Sequence, residues 1–381
     1  LHEPSRRQRQ MCIRDRPTSY RTAAGYPGHE YWQNRADYTI DVKLDDENQT
    51  INGFETITYT NNSPDDLNYL WVQLDQNVRA KDSDSYKIST GKMRSKLDFS
   101  SMKPGYIYGD KDAFDVLNDF DGGFNIEEVV TIDGRKLNYT INKTMMRIDL
   151  DKPLRSKSKT SISIRWNYKL QDRIFMGGRS GYEFFETDSN YLYTICQWFP
   201  RMAMYNDVYG WQNKQFLGRG EFTLDFGDYD VRITVPADHI VASTGELQNM
   251  MEVLTKEQID RYKKSRSANS PMIIISQDDA IINEKSRSKK VKTWRYKAKN
   301  VRDFAFTSSR KFIWDAMGVK LGDRTVMAMS YYPKEANPLY ERYSTRAVAH
   351  TLNVYSKYTF DYPYPVAISV EAANGMDYPM I

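Results

Sequence analysis

Four histidines are scattered along the 381 residues, at His2, His29, His239 and His350, and there are two cysteines, Cys12 and Cys196. A catalytic zinc site needs three protein ligands, usually His with His or carboxylate, and an open position. No His-x-x-x-His pair exists, Cys196 stands alone, and His350 has no partner one helical turn away, so it reads as a structural or surface residue. Two cysteines also exclude a disulfide framework. No Gly-x-Ser-x-Gly elbow is present for nucleophilic catalysis. Residues 176–181, MGGRSG, lack the Walker spacing and its Lys, and predict a tight loop. The basic run KSRSKKVK at 285–292 predicts a solvated hairpin tip.

More informative is the stretch 362–381, YPYPVAISVEAANGMDYPMI. Residues 367–372 predict a strand that runs into Asn374, Gly375, Met376, Asp377 and Tyr378. Gly375 lets a second backbone approach closely. An extended peptide can add to such an edge through main-chain hydrogen bonds, with the Asp377 carboxylate holding its α-ammonium. A plain Gly-Asp turn is the competing reading of the same spacing.

The elements that must position this stretch are mostly strands. Tyr38, Ile40, Val42 and Leu44 alternate with polar residues, as a half-buried strand requires. Residues 45–50 turn the chain, and 54–60 answer as the next strand. Leu70, Val72 and Leu74 form a further alternating face, as do Met146, Ile148 and Leu150, and then Ile162, Ile164, Trp166 and Tyr168. Phe222, Leu224 and Phe226 predict a strand before a Gly-Asp turn, followed by Val231, Ile233 and Val235. Short strands punctuated by Gly, Asp, Asn and Pro predict an antiparallel sandwich or saddle. Residues 251–264 have helical composition. A clearer helix is expected from Asn337 as cap and Pro338 as first helical residue, through Leu339, Tyr343, Ala347, Leu352 and Tyr355 to near Phe360. The β-rich region is expected to end around 312–314, where a mixed α/β region begins.

Composition narrows the function classes. Lys and Arg number 54 against 50 Asp and Glu, a well-mixed balance of +4 that does not suit a protein wrapping nucleic acid. The longest apolar runs fall far below the ~20 residues of a membrane span. The 28 Tyr and 7 Trp suit β-rich packing. Residues 1–16 carry five Arg and no apolar core, which is not a signal peptide. Their MCIRDR at 11–16 reads as a translated sequencing adapter, so 1–16 is expected to be an assembly scar, with any export signal lost before residue 31.

Five blocks, in order, resemble the zinc aminopeptidase N family, the membrane alanyl aminopeptidase-like gluzincins. Residues 38–60 resemble its first two strands, 197–203 (QWFPRMA) a block of its bacterial members, and 230–245 (DVRITVPADHIVASTG) the following strand and turn. Residues 300–306 (NVRDFAF) are similar to the motif closing its N-terminal domain, and 374–378 sit where the family has its Gly-x-Met-Glu-Asn exopeptidase motif. Asp377 stands in place of that Glu, Tyr378 in place of the Asn, and Asn374 in place of the first Gly.

The resemblance implies an N-terminal β saddle or sandwich domain over 31–313, after a tail at 1–30. The start of an α/β thermolysin-like catalytic domain follows over 314–381. It implies peptide substrates with a free N-terminus, whose amine meets Asp377 and, from the β domain, Gln197. Gly375, Met376 and Asn374 complete the binding strand. In the family, His-Glu-x-x-His and a further Glu hold Zn(2+), and the motif's Glu acts as general base. That motif is absent from this sequence, so the ligands are expected beyond Ile381 and the chain alone is expected to be an inactive fragment of a metallo-aminopeptidase. An exported location, periplasmic or cell-surface, is expected from the bacterial members. A non-catalytic peptide- or protein-binding relative is the alternative, and a carbohydrate-binding β-sandwich a third class.

Overall fold

The computed structural model describes residues 17–88, 120–218, 220 and 222–372. Its strands, in chain order, begin with β1 (Arg35–Asp45), β2 (Thr50–Asn61), β3 (Leu67–Gln73), β4 (Asn125–Thr131), β5 (Tyr139–Asn142), β6 (Met145–Leu154) and β7 (Ser158–Lys169). There follow β8 (Gly181–Phe185), β9 (Asn190–Ile195), β10 (Arg201–Met202), β11 (Tyr205–Asn206), β12 (Gly210–Trp211), β13 (Gly227–Pro236), β14 (Ile240–Ser243) and β15 (Glu246–Leu247). The last are β16 (Met272–Ile275), β17 (Val291–Val301), β18 (Phe306–Ser309), β19 (Ile313–Leu321), β20 (Arg324–Tyr332) and β21 (Val366–Val370). Three longer helices are α1 (Lys256–Ser265), α2 (Gln277–Ser286) and α3 (Leu339–Tyr358).

The largest sheet runs β15-β17-β13-β1-β2-β7-β4. All its pairs are antiparallel except the central β1–β13 pair, which places Tyr38 opposite Tyr229 and Ile40 opposite Val231. Strict alternation in β1 and β13 puts Ala36, Tyr38, Ile40, Val42 and Leu44 on the same buried face as Tyr229, Val231, Ile233 and Val235. Two four-stranded sheets, β10-β3-β6-β5 and β14-β18-β9-β8, supply the other walls. Between them lies an aromatic core in which Trp198 packs edge-on to Trp166, Phe199 and Phe306, and Tyr38 stacks on Tyr229 at 4.7 Å. The β-rich class expected from alternation is what the chain forms.

Three local expectations fail, each for a physical reason. Residues 222–225 form no strand, and the strand instead runs unbroken from Gly227 through Asp228. Gly227 is no turn glycine. A Cβ there would sit 1.6 Å from the Ala36 carbonyl oxygen, so glycine lets this strand begin hard against β1. The basic run at 285–292 is not a hairpin tip. It is the end of α2, a short connection and the start of β17. A capping box nucleates that helix: Ser276 accepts from the Asp279 amide, and the Asp279 side chain returns to the Ser276 amide. Finally, α3 starts one residue later than expected. Pro338 holds the N-cap position, while the Asn337 side chain reaches Glu341 and Gln277.

The last sheet, β16-β19-β20-β21, reaches back before residue 313 through the hydrogen bonds of β16 to β19. One face, with Trp314, Ala316, Met327, Met329 and Tyr331, joins the main core. The other is covered by α3, whose Ala349 and Leu352 pack with Val319, Val326 and Ala328.

Candidate functional site

Strands β20 and β21 are parallel, joined through α3, with Ser330 opposite Ser369. In open sheets, ligands gather at the carboxyl ends of parallel strands, because the chain leaves there and its loops form a crevice. Here those ends carry Glu335, in the turn after β20, and Glu371, whose amide donates to the Tyr331 carbonyl at 2.9 Å. On its other side β21 has no neighbouring strand among the described residues.

Charge is concentrated at this end. Burial first, and then the nearby negative charges of Glu183 and Glu335, push the Glu371 carboxyl up to about 7. Glu183, on β8, is also held above the usual carboxylate value by burial, against the pull of Arg173. A half-buried carboxyl poised near neutrality can gain or lose its proton as a cationic ligand arrives or leaves.

Beside it lies a deeper network. Lys311 is fully buried, and its Nζ meets Glu335 at 2.9 Å, Glu284 at 3.1 Å and Asp188. The same ammonium stands 4.5 Å from the centre of the Phe185 ring. Lys334 adds a second ammonium to Asp188, at 3.3 Å, and to Glu284. Burial opposes the charge on Asp188, but its bonds to Lys311, Asn190 and Lys334 hold its carboxyl below the usual value. Asp188, Glu284 and Glu335 converge closely enough to hold a cation. The cation there is Lys311. With no imidazole or thiolate in the set, these residues do not fit zinc.

The structure also assembles a constellation that sequence spacing does not reveal. His239 Nδ1 lies 2.8 Å from Ser308 Oγ, and its Nε2 lies 3.7 Å from Asp46 Oδ1. Asp46 accepts from the Tyr193 hydroxyl at 2.8 Å and from Arg310 at 2.6 Å. His239 and Ser308 are completely buried, and burial pushes the imidazole down to about 4. No substrate can reach this hydroxyl, so the group is a structural joint tying the β1–β2 turn to β18.

Of the residues expected to bind substrate, Asn374, Gly375, Met376 and Asp377 lie outside the described residues. Gln197 follows β9 in a left-handed conformation, φ 51°, half-buried, with its carbonyl accepting from Gln76 Nε2 at 2.8 Å. It is anchored by Trp198, whose indole donates to the Phe304 carbonyl at 2.8 Å. The charges that act on Glu371 are those of Glu183 and Glu335. Sequence reasoning missed Glu183, Glu335, Glu371 and Lys311. The only local signal was the place of Glu371, directly after the alternating strand.

No protein-family model matches the sequence, and no curated protein matches it. Among solved structures, the chain is similar to the M1 zinc metallopeptidase from Deinococcus radiodurans, at 13% identity and a TM-score of 0.47, over 91% of this chain and 57% of that one. It is similar also to a mutant of that peptidase bound to a Tyr-Ser-Ala substrate, at 12% identity and a TM-score of 0.48, over 89% and 56%. A two-domain M1 zinc metallopeptidase mutant bound to L-tryptophan gives 12% identity and a TM-score of 0.48, over 91% and 58%. The chain thus spans less than two thirds of the length of each.

Proposed function

We propose that this chain forms the β-rich part, and the first sheet of the catalytic part, of a peptidase that acts on the free N-terminus of peptides. The observation that carries the reading is β21. It is a sheet-edge strand whose carboxyl end bears Glu371 and leads directly into Asn374, Gly375, Met376 and Asp377. The order of the five sequence blocks supports it. An extended peptide pairs with the open edge of β21, and its α-ammonium meets Asp377, with the Gln197 amide as second contact. Glu371 and Glu183 add negative potential at the same end. The chain's own part is binding and orientation. The sequence contains no His-Glu-x-x-His motif.

Calorimetric titration of the 381-residue chain with trialanine and with N-acetyl-trialanine tests this. Free-amine peptide should bind and the acetylated one should not, and Asp377→Ala should abolish the difference. Equal affinity for both peptides overturns the reading. The absence of the zinc motif favours one second reading, a peptide-binding relative that does not hydrolyse. It predicts the same titration with no cleavage when the native gene product is assayed with zinc.

A further inference from the structure

Arg79 closes the short 3-10 helix Asp75–Arg79 that follows β3, and it is half-buried. Its Nε is completely enclosed and has no hydrogen-bond partner among the described residues. The groups that act on its charge are the Tyr168 hydroxyl and Arg173, with no carboxylate among them. Burial pulls the guanidinium down to about 10, with Tyr168 opposing that fall and Arg173 adding to it. An enclosed cation is ordinarily paired, because leaving it bare is costly.

The glycine-rich loop at 176–181 is shaped around this side chain. Gly178 has φ 87°, and a Cβ there would lie 2.5 Å from Arg79 Nη2, so glycine is what leaves room for the guanidinium. Arg173 is 5% exposed, and its Nε donates to the Gly178 carbonyl at 2.7 Å. Gln171 pins the loop by donating to the Gly177 and Ser180 carbonyls, each at 2.7 Å. Two guanidinium groups therefore converge on one glycine. Glu183 supports the charge of Arg173, and no acidic group does the same for Arg79.

Both the helix and the loop are tied to Gln197. Gln76 donates to the Gln197 carbonyl at 2.8 Å and to the Cys196 carbonyl at 3.2 Å. Ser180 Oγ accepts from the Cys196 amide at 3.3 Å. Residues three apart on a 3-10 helix share a face, with about 2.0 Å of rise each, so Arg79 stands about 6 Å along from the residue that fixes Gln197.

We propose that Arg79, with Arg173 beside it, forms a subsite for a carboxylate, and that this carboxylate is the side chain of an acidic first residue in the bound peptide. The assignment to a peptide rests on the function proposed above, whereas the anion site does not. The α-ammonium of such a residue is drawn to the end that carries Glu183 and Glu371. Its side-chain carboxylate is drawn to the guanidinium beside Gln197, so one residue meets opposite charges at its two ends. A neutral side chain of the same shape covers the guanidinium and leaves it unpaired, which is what gives the subsite its selectivity.

Calorimetric titration of the 381-residue chain with Glu-Ala-Ala and with Gln-Ala-Ala, alike in shape and different in charge, tests the subsite. The acidic peptide should bind about tenfold more tightly, the factor carried by one charge-assisted hydrogen bond. Arg79→Met keeps an apolar stem without the charge and should bring the two affinities together while unfolding stays cooperative. Glutarate, a carboxylate without an amine, should at constant ionic strength raise the Tm of the unaltered protein and not that of Arg79→Met. Equal affinity of the two peptides for the unaltered protein, or a preference that survives in Arg79→Met, overturns the proposal. A Tm shift by glutarate with equal peptide affinities leaves a free-anion site and overturns the assignment to a peptide. If trialanine and N-acetyl-trialanine bind alike while the preference for Glu-Ala-Ala holds and is lost in the variant, the reading of Asp377 fails and the carboxylate subsite stands. Should Arg79→Met not fold, competition on the unaltered protein decides: glutarate must weaken the binding of Glu-Ala-Ala and leave that of Gln-Ala-Ala unchanged.

Discussion

Replacing Lys311 by Met tests the electrostatic joint beside the strand ends. The side chains are of similar length, so the change removes an ammonium while nearly conserving volume. Three carboxylates lose a partner, but unequally. Glu335 is 37% exposed and can turn to water, and Asp188 keeps Lys334. Glu284 is 4% exposed and, among the described residues, keeps Lys334 as its one remaining cation. Removing one partner of a buried pair costs about 3–5 kcal/mol. With Lys334 remaining, the lower end applies, about 3 kcal/mol. At roughly 2.1 cal/mol/K of unfolding entropy per residue, a chain of this length has about 0.8 kcal/mol/K, so Tm should fall by about 4 °C. Differential scanning calorimetry reads this directly. The sign with pH is a further check. Without Lys311 the clustered carboxylates face one another with less compensating positive charge, and acid neutralises them. The variant's deficit should therefore shrink in acidic buffer. Glu284→Gln in the same background should recover much of the loss. An unchanged or raised Tm at neutral pH, or a deficit that grows in acid, refutes the reasoning.

Gly53 faces Trp166 across the β2–β7 pair, and a Cβ there would meet the indole at 2.2 Å. Gly53→Ala should cost about 3 kcal/mol by overpacking, seen as a lower urea midpoint. His239 is held neutral, about 4 in the fold against 6.5 in its absence. Its contribution is therefore complete above the unfolded value and is lost as pH falls from 6.5 through 4. The loss is at most about 3 kcal/mol, and the stability slope across that window should flatten in His239→Gln. With Glu371 near 7, binding of a free-amine peptide should strengthen as pH rises through neutrality. Glu371→Gln should remove that dependence in calorimetric titrations.

How much was legible depended on whether the information was local. Strand β1 could be read because each residue from Ala36 to Leu44 declares its face by type, and the sheet keeps that alternation. The pairing of β1 with β13 could not, since nothing near Tyr38 marks Tyr229 as its neighbour. Gly227 was misread because a glycine needed for close packing and one needed for a turn are the same letter. The joint at Lys311 gathers side chains from the β8–β9 turn, α2, the β18–β19 turn and the turn after β20. Each is an ordinary surface-type charge in its own segment, and only the fold makes them neighbours. Glu371 could be placed at the end of a strand, but its unusual proton affinity comes first from burial in the folded chain and then from Glu183 and Glu335, neither of them near it in sequence.

The parallel contact at the centre of the largest sheet sets a timetable for the nascent chain. Strands β1, β2, β7 and β4, all joined by antiparallel pairings, can pair once the chain has emerged as far as Lys169. The other edge of β1 must wait for β13, 191 residues later in the register. At about 5–20 residues per second of synthesis, that is roughly ten to forty seconds in which one edge of an alternately apolar strand stays open. During that interval the half-made sheet is a template for any other extended chain, so the yield of folded protein should depend on translation rate and on chaperones that shield β1 until its partner arrives.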